Sequence, residues 1–453
     1  MKSNTPDNYF ISSDVIRAKF SAAMSHMYRA EVPAYGDLIK IVQQTNEASL
    51  HISGLSQHPE DTRRLSDERH GAIRVGTAQE LAMLGRMFAI MGMYPVSYYD
   101  LGSAGIPVHS TAFRPTSRAA LAANPFRVFT SLLRLELIEN EAVRDTAQQV
   151  LASRNIFHDE AVRLTEQAEA DGGLNEADAA DFVTAALETF RWTGKARVHK
   201  QTYDELHELH RLIADVVAFQ GPHINHLTPR TLDIDKAQQA MRDASLPAKA
   251  VIEGPPQRQC PILLRQTSFK ALTEPVQFLE SDDMSGHTAR FGEIEARGIA
   301  LTPKGRALYD RLLAETRAEI TPAADGSNAA EYTQKLAAIF SAFPDDWRQI
   351  HDEGLGYFRY QRAAAGRGAI TASDLPQALD DGIIALAPII YEDFLPVSAA
   401  GIFQSNLGDE ATQATSKQAS QTDFEAALGT PVLDEFTHYQ QIADASLAEA
   451  LQG

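Results

Sequence analysis

Cysteine is almost missing from this sequence. Cys260 is the only one among 453 residues, which excludes an intramolecular disulfide and any cysteine-built zinc or iron–sulfur centre. Positive charge is also in deficit: 41 lysines and arginines stand against 60 aspartates and glutamates, a formal net charge of −19. A general nucleic-acid binder or a protein that docks on anionic membrane wants the opposite balance, so neither is expected as a partner. No stretch reaches the roughly 18 uninterrupted apolar residues that a spanning helix needs, and the opening MKSNTPDNYF has no apolar signal core. There is no P-loop and no strand-borne GxGxxG, which removes support for nucleotide-driven chemistry. Cys260 follows a proline-rich loop with nothing to activate it, and no serine arrangement points to a nucleophile. The expectation is a soluble, acidic, cytoplasmic protein long enough to bury an enlarged core.

What is present is helix in quantity and a smaller, more informative set of strands. Residues 8–31 read as helix, with Val15, Ile16, Phe20, Ala23, Met24 and Met27 recurring at three- and four-residue steps. From Val128 to about Ala218 the pattern is helical almost throughout, with Asn175 and Asp204 as starting points and Gly172, Gly173 and Gly194 as punctuation. Further helices are expected from Pro303 and over AEYTQKLAAIFSAF, and the tail from Gln404 reads as loop and a late helix.

Two segments, DERHGAIRV and HINHLTPRTL, read as strands, and in each a histidine is followed four positions later by arginine: His70 with Arg74, His226 with Arg230. A helix-start signal comes seven residues after each histidine, the capping box Thr77–Glu80 in one copy and Asp233 or Asp235 in the other. Strand-prone segments follow each helix: PVSYYDL and VHSTAFRP in the first copy, then CPILLRQTSFKAL, PVQFLES and RFGEIEARG in the second. A strand, a helix and about three more strands, occurring twice, predict an internally duplicated β-barrel half.

Several constellations bear chemistry. In RFGEIEARG strand alternation places Glu293 and Glu295 on one side and Ile294 on the other. If that side is the barrel interior, a carboxylate there needs a cation. Two imidazoles and one carboxylate suit a divalent metal with half its octahedron open; the alternative is that the glutamates face solvent and pair with Arg290 or Arg297. Arg74 shares a strand face with His70, which points to an anionic substrate, because guanidinium grips carboxylates through two parallel hydrogen bonds; Asp67 or Glu68 would be its ordinary salt-bridge partner. His207 and His210 in ELHELH are one residue too close for a zinc-protease motif and are expected on a solvated or packing face. His223 is expected on the strand face opposite His226. The segment IIYEDFLPVSAAGIFQSNL ends in small residues that leave backbone amides approachable around Val397 and Ser398, suited to closing a pocket, although its pattern by itself reads as a core strand ending in a turn.

The strings DERHGAIRVGT, GPHINHLTPRTLDI, RFGEIEARGIALTPKGRALYD and YEDFLPVSAAGIFQSNL resemble the 2-oxoadipate dioxygenase/decarboxylases, or 2-hydroxyglutarate synthases, over nearly the whole chain. The resemblance implies an α+β fold, a vicinal-oxygen-chelate-like β-barrel built from two βαβββ-type repeats with large helical insertions, similar to that of 4-hydroxyphenylpyruvate dioxygenase. With it the chain reads as a single enlarged catalytic unit: an N-terminal helix and first barrel half (1–125), a helical insertion (126–220), a second barrel half (221–310), a helical segment (311–375) and a pocket-closing segment with the tail (376–453). The resemblance also implies Fe(II) held by His70, His226 and Glu293, with Glu295 as the register alternative. Arg74 would be the catalytic and substrate-binding arginine, and Val397 and Ser398 would line the pocket of a small 2-oxo dicarboxylic acid. The implied reaction consumes O2 and converts 2-oxoadipate to 2-hydroxyglutarate and CO2 in lysine degradation. The rivals are a metalloenzyme of the same barrel type that uses no oxygen, and a non-catalytic ligand-binding barrel. Oligomeric state leaves no mark in the sequence.

Overall fold

Strand β1 (Arg69–Val75) alternates as expected. Ile73 and Val75 face one apolar core, while Ala72 belongs to another on the opposite side. The computed structural model of the chain describes residues 10–53, 64–102, 105–269, 273–280, 284–288, 290–323, 325–363, 370–395 and 420–452. After β1 the helix Ala78–Ile90 starts at the expected capping box: Thr77 Oγ1 accepts from the Glu80 amide at 3.2 Å, and Glu80 Oε2 accepts from the Thr77 amide. Strands β2 (Tyr94–Asp100), β3 (Val108–Arg114) and β4 (Arg127–Leu133) complete the first unit. The helical reading that began at Val128 is corrected here, because Val128 to Leu133 lie in β4, parallel to β1 and antiparallel to β3. Pairing on both sides of this β-branched and aromatic stretch outweighs the helical periodicity that continues beyond it.

The second unit begins with β5 (His226–Pro229), antiparallel to β1, so that one sheet runs β2-β3-β4-β1-β5. The helix Ile234–Asp243 follows, capped by Asp233, whose Oδ1 accepts from the Lys236 amide at 3.0 Å. Beyond it lie β6 (Leu264–Ser268), the hairpin β7 (Thr273–Gln277) and β8 (Met284–Thr288), and β9 (Glu293–Arg297). The chain leaving β5 runs parallel to β9, with a bridge between Arg230 and Glu295, and β9 is antiparallel to β6. Bridges Ala248–Phe269 and Glu253–Gln266 add residues 248–253 antiparallel to β6. Segment 248–253, β6, β9 and β5 therefore repeat the places of β2, β3, β4 and β1. The duplication holds, but its second copy is laid out differently from the expected order: one member precedes β6, and the β7–β8 hairpin is an addition.

Between the units stand helices Glu141–Ala152, Asp159–Asp171, Glu176–Leu187, Lys200–Leu209 and Arg211–Val217. Asn175 caps the third of these as expected. Asp204 does not start the fourth; it lies one turn inside, paired with Lys200 four residues earlier. Helix Pro303–Glu319 is capped by Thr302, and β10 (Phe358–Arg362) pairs antiparallel with β11 (Ile384–Pro388) beside the final helix Glu435–Gln452. Leu433 covers the edge of β2 by exchanging backbone hydrogen bonds with Pro95 and Ser97. Among the described residues no helix is long and apolar enough to cross a membrane.

Candidate metal centre

Strand register brings the two histidines together. In the β1–β5 pair His70 lies opposite Thr228 and Ala72 opposite His226, so the side chains of His70 and His226 rise on the same face of adjacent strands, ring centres 5.3 Å apart. Glu293 enters from the first position of β9. Its Oε2 is 3.3 Å from His70 Nε2 and 3.6 Å from His226 Nε2, and it accepts from Thr228 Oγ1 at 2.9 Å and Gln266 Nε2 at 3.0 Å. All three residues are buried. No lysine or arginine among the described residues pairs with this carboxylate.

These separations fit a small divalent ion. Metal–ligand bonds of about 2.1 Å at right angles put donor atoms roughly 3.0 Å apart, and the ligand atoms of His70, His226 and Glu293 all lie within 4.8 Å of one another. The two rings titrate differently: burial would lower the His70 imidazole, but Glu295 and Glu293 outweigh it and raise the group above its ordinary value. Burial pushes the His226 imidazole down to about 4, against the pull of Glu293, so the ring is neutral with a lone pair to give. Burial alone would raise the Glu293 carboxyl, but His226, His70 and the Thr228 hydroxyl outweigh it and hold the group below the ordinary carboxylate value.

Glu295, two residues along β9, lies in a different setting. Its Oε2 is 3.0 Å from His70 Nδ1, at ion-pair distance without the alignment of a hydrogen bond. Its oxygens take hydrogen bonds from Arg297 Nε and Nη2, at 2.8 and 2.9 Å, and from Arg127 Nη1 at 3.3 Å. Arg127 also binds Glu68 and Glu392, Arg230 binds Glu68, and Arg114 forks onto Asp393 at 2.6 and 2.8 Å. The expected alternative pairing with Arg297 is thus real for Glu295 and absent for Glu293. Arg290 binds Glu274 and Glu31 instead.

The triad opens on a pocket walled by Leu101, Ile106, Val108, Phe129, Leu212 and Phe394, with Arg74 and Ser131 as further polar lining. Phe394 packs edge-on to His70, ring centres 4.9 Å apart. Arg74 is where strand alternation puts it, four residues beyond His70 on the same face, but its partner is Asp215, with Nη1 donating to Oδ2 at 2.8 Å, and neither Asp67 nor Glu68. Val397 and Ser398 lie outside the described residues. His207 is exposed and His210 accepts from the Leu212 amide at 3.2 Å, ordinary surface and capping roles. His223 points away from the triad as expected, yet it joins Asp215 and His287 in a second buried group that sequence reading missed. Gln266 and Thr228, which hold Glu293, were also missed. Their only sequence signal is an inward polar residue within a strand.

Known proteins are similar to the chain over nearly its whole length. The family described as 2-oxoadipate dioxygenase/decarboxylase matches residues 20–406. A Pseudomonas putida protein of that name is 54% identical over 461 residues, covering 99% of this chain and 98% of the relative. An Escherichia coli protein of the same name is 55% identical, covering 96% and 98%. The crystal structure of the Pseudomonas putida hydroxyglutarate synthase in complex with 2-oxoadipate superposes with a TM-score of 0.89 at 53% identity, covering 98% of this chain and 99% of that one. By matched length, identity and shared fold, the chain belongs to the 2-oxoadipate dioxygenase/decarboxylase family.

Proposed function

We propose that the protein is an Fe(II)-dependent dioxygenase that oxidatively decarboxylates and hydroxylates 2-oxoadipate, yielding 2-hydroxyglutarate and CO2, in the cytoplasmic breakdown of lysine. The observation that carries this reading is the convergence of two imidazoles and one carboxylate that no lysine or arginine among the described residues pairs with, at the buried end of a pocket whose wall holds an arginine. Family membership supports it, as does the 2-oxoadipate bound by the Pseudomonas putida relative.

His70, His226 and Glu293 would hold the ion, which when bound supplies a Lewis acid for the 2-oxo acid and electrons for O2. Glu293 provides the negative charge that retains a divalent cation, and Thr228 and Gln266 fix the direction of its carboxylate. Glu295 beside His70 Nδ1 keeps that ring turned so that Nε2 faces the pocket. Arg74 pairs with the substrate's far carboxylate and holds the chain for reaction at the correct carbon. Phe129, Phe394 and Leu212 keep bulk water from the reacting end.

The balance is one 2-oxoadipate and one O2 in, one 2-hydroxyglutarate and one CO2 out, with both oxygen atoms retained in product. Iron-loaded protein supplied with 2-oxoadipate should consume oxygen and release CO2 and 2-hydroxyglutarate one for one. A His70→Ala protein with full turnover would contradict the assignment, and turnover without oxygen uptake would contradict the reaction.

A further inference from the structure

Behind Arg74 lies a buried polar group that the proposed reaction does not use. Asp215, in the helix Arg211–Val217, takes Arg74 Nη1 on Oδ2 at 2.8 Å. Its Oδ1 is 3.0 Å from His287 Nε2 and 3.2 Å from His223 Nε2. His287 Nδ1 is 2.9 Å from the Tyr203 hydroxyl, and the Asn225 amide nitrogen is 3.4 Å from Asp215 Oδ2 and 3.2 Å from His223 Nε2. Trp192 stacks on His287 and meets His223 edge-on, closing the group from the side. A carboxylate only accepts, so His287 presents Nε2–H to it and accepts a hydrogen bond from the Tyr203 hydroxyl at Nδ1. The chain Tyr203–His287–Asp215–Arg74 is thus continuous, and each member orients the next.

Asp215, His223 and His287 have the same donor composition as the triad, with ligand atoms within 4.8 Å of one another. Charge separates the two groups. Among the described residues Glu293 has no lysine or arginine beside it, whereas Asp215 already carries the Arg74 guanidinium, and a divalent ion added there would leave surplus positive charge in a buried place. Among the described residues Asp215 is also the one hydrogen-bond partner of Arg74.

We propose that Asp215, held by His223 and His287, is a positioning residue: it pins one edge of the Arg74 guanidinium so that the other edge meets a carboxylate at a set distance from the metal centre, and thereby makes the enzyme selective for dicarboxylic over monocarboxylic 2-oxo acids. The inference rests on the reading of Arg74 as the carboxylate anchor. Arginine is long and rotamer-rich, and an unpinned one would follow either ligand or solvent; pinning removes that freedom before substrate arrives.

The test is oxygen-free titration calorimetry of iron-loaded protein with 2-oxoadipate and with 2-oxohexanoate, which has the same chain length and no second carboxylate. The wild type binds 2-oxoadipate more tightly. Asp215→Asn loses about tenfold or more of that affinity while 2-oxohexanoate affinity changes by less than about threefold, as expected when charge-assisted recognition alone is misplaced. Tyr203→Phe, the milder change, shifts the ratio the same way by less, with its melting temperature unchanged, and it decides the matter should Asp215→Asn fail to fold. An equal loss for both acids, or an unchanged ratio, overturns the proposal. So does a second equivalent of iron retained by the wild type and lost in Asp215→Asn, which would mark a second metal site. A wild type that binds both acids equally would overturn the reading of Arg74 itself.

Discussion

Glu293 and Glu295 sit two residues apart on one strand and on one face of it, yet they occupy opposite electrostatic settings. Glu295 is fully buried among guanidinium groups: Arg297 forks onto it, Arg127 reaches it, and the surrounding Glu68, Glu392 and Asp393 are each matched by arginines of their own. Glu293 has imidazole, hydroxyl and amide around it. The first carboxylate has arginine countercharge built into the fold; the second has no arginine or lysine beside it among the described residues. A buried carboxylate without an arginine or lysine is expensive, which supports the proposal that Glu293 is a metal ligand and Glu295 part of the scaffold beside His70. His70 touches both, Nε2 toward one and Nδ1 toward the other.

Substitutions at the two positions should therefore fail in different ways. Glu293→Gln is expected to lose iron and to drop turnover of 2-oxoadipate by at least about 10³-fold, roughly 4 kcal/mol of barrier, with its unfolding curve little changed; iron per chain by mass spectrometry together with product release checks this. Glu295→Gln should do the reverse. It takes from Arg297 its forked carboxylate partner, while Arg127 keeps Glu68 and Glu392. Denaturant unfolding should therefore show a loss of about 3–5 kcal/mol, while iron affinity weakens by about 10–100-fold through the freed His70 ring.

Acid sharpens the same contrast. Burial alone would raise the Glu295 carboxyl, but Arg297, His70 and Arg127 outweigh it and hold the group well below its ordinary value of 4.5. Glu68 and Glu392 are likewise depressed by their arginines against burial. A depressed carboxylate stabilises the fold above the unfolded pKa, and that stability is lost as pH falls, because the unfolded chain takes up protons first. Metal-free protein should thus lose stability from about pH 4.5 downward, at about 1.4 kcal/mol per pH unit for each such group, and Glu295→Gln should flatten the slope. The smallest effect is expected far from the cage. Arg86→Gln breaks a forked pair with Glu169 that is about two-fifths exposed, and calorimetric unfolding should register less than about 1 kcal/mol. A loss there comparable with that of Glu295→Gln would dissolve the distinction between caged and exposed ion pairs.

Much of this arrangement was legible beforehand, and its limits are physical. The Thr77–Glu80 capping box and the Asp233 cap are local rules acting within four residues, and both appear where the pattern puts them. The paired His–Arg spacing worked because strand alternation is also local: it places His70 and Arg74 on one face whatever the sheet does. β4 and the 248–253 segment were not legible as strands, since their partners, β1 and β6, supply the pairing from elsewhere in the chain. Asp215 was invisible for the same reason. It sits in a helix, surrounded in sequence by apolar residues, and acquires meaning only when Arg74 and His287 arrive from 141 and 72 residues away.

Alternation along β9 by itself determined that Glu293 and Glu295 face the same way, and composition with the two histidine strands determined that a metal-bearing interior was worth expecting. Which glutamate is gripped by arginines, and which lies against two imidazoles, was decided only by the tertiary structure. Side-chain direction is a property of the local backbone, whereas the charge a side chain experiences is summed over every strand and loop that folds against it.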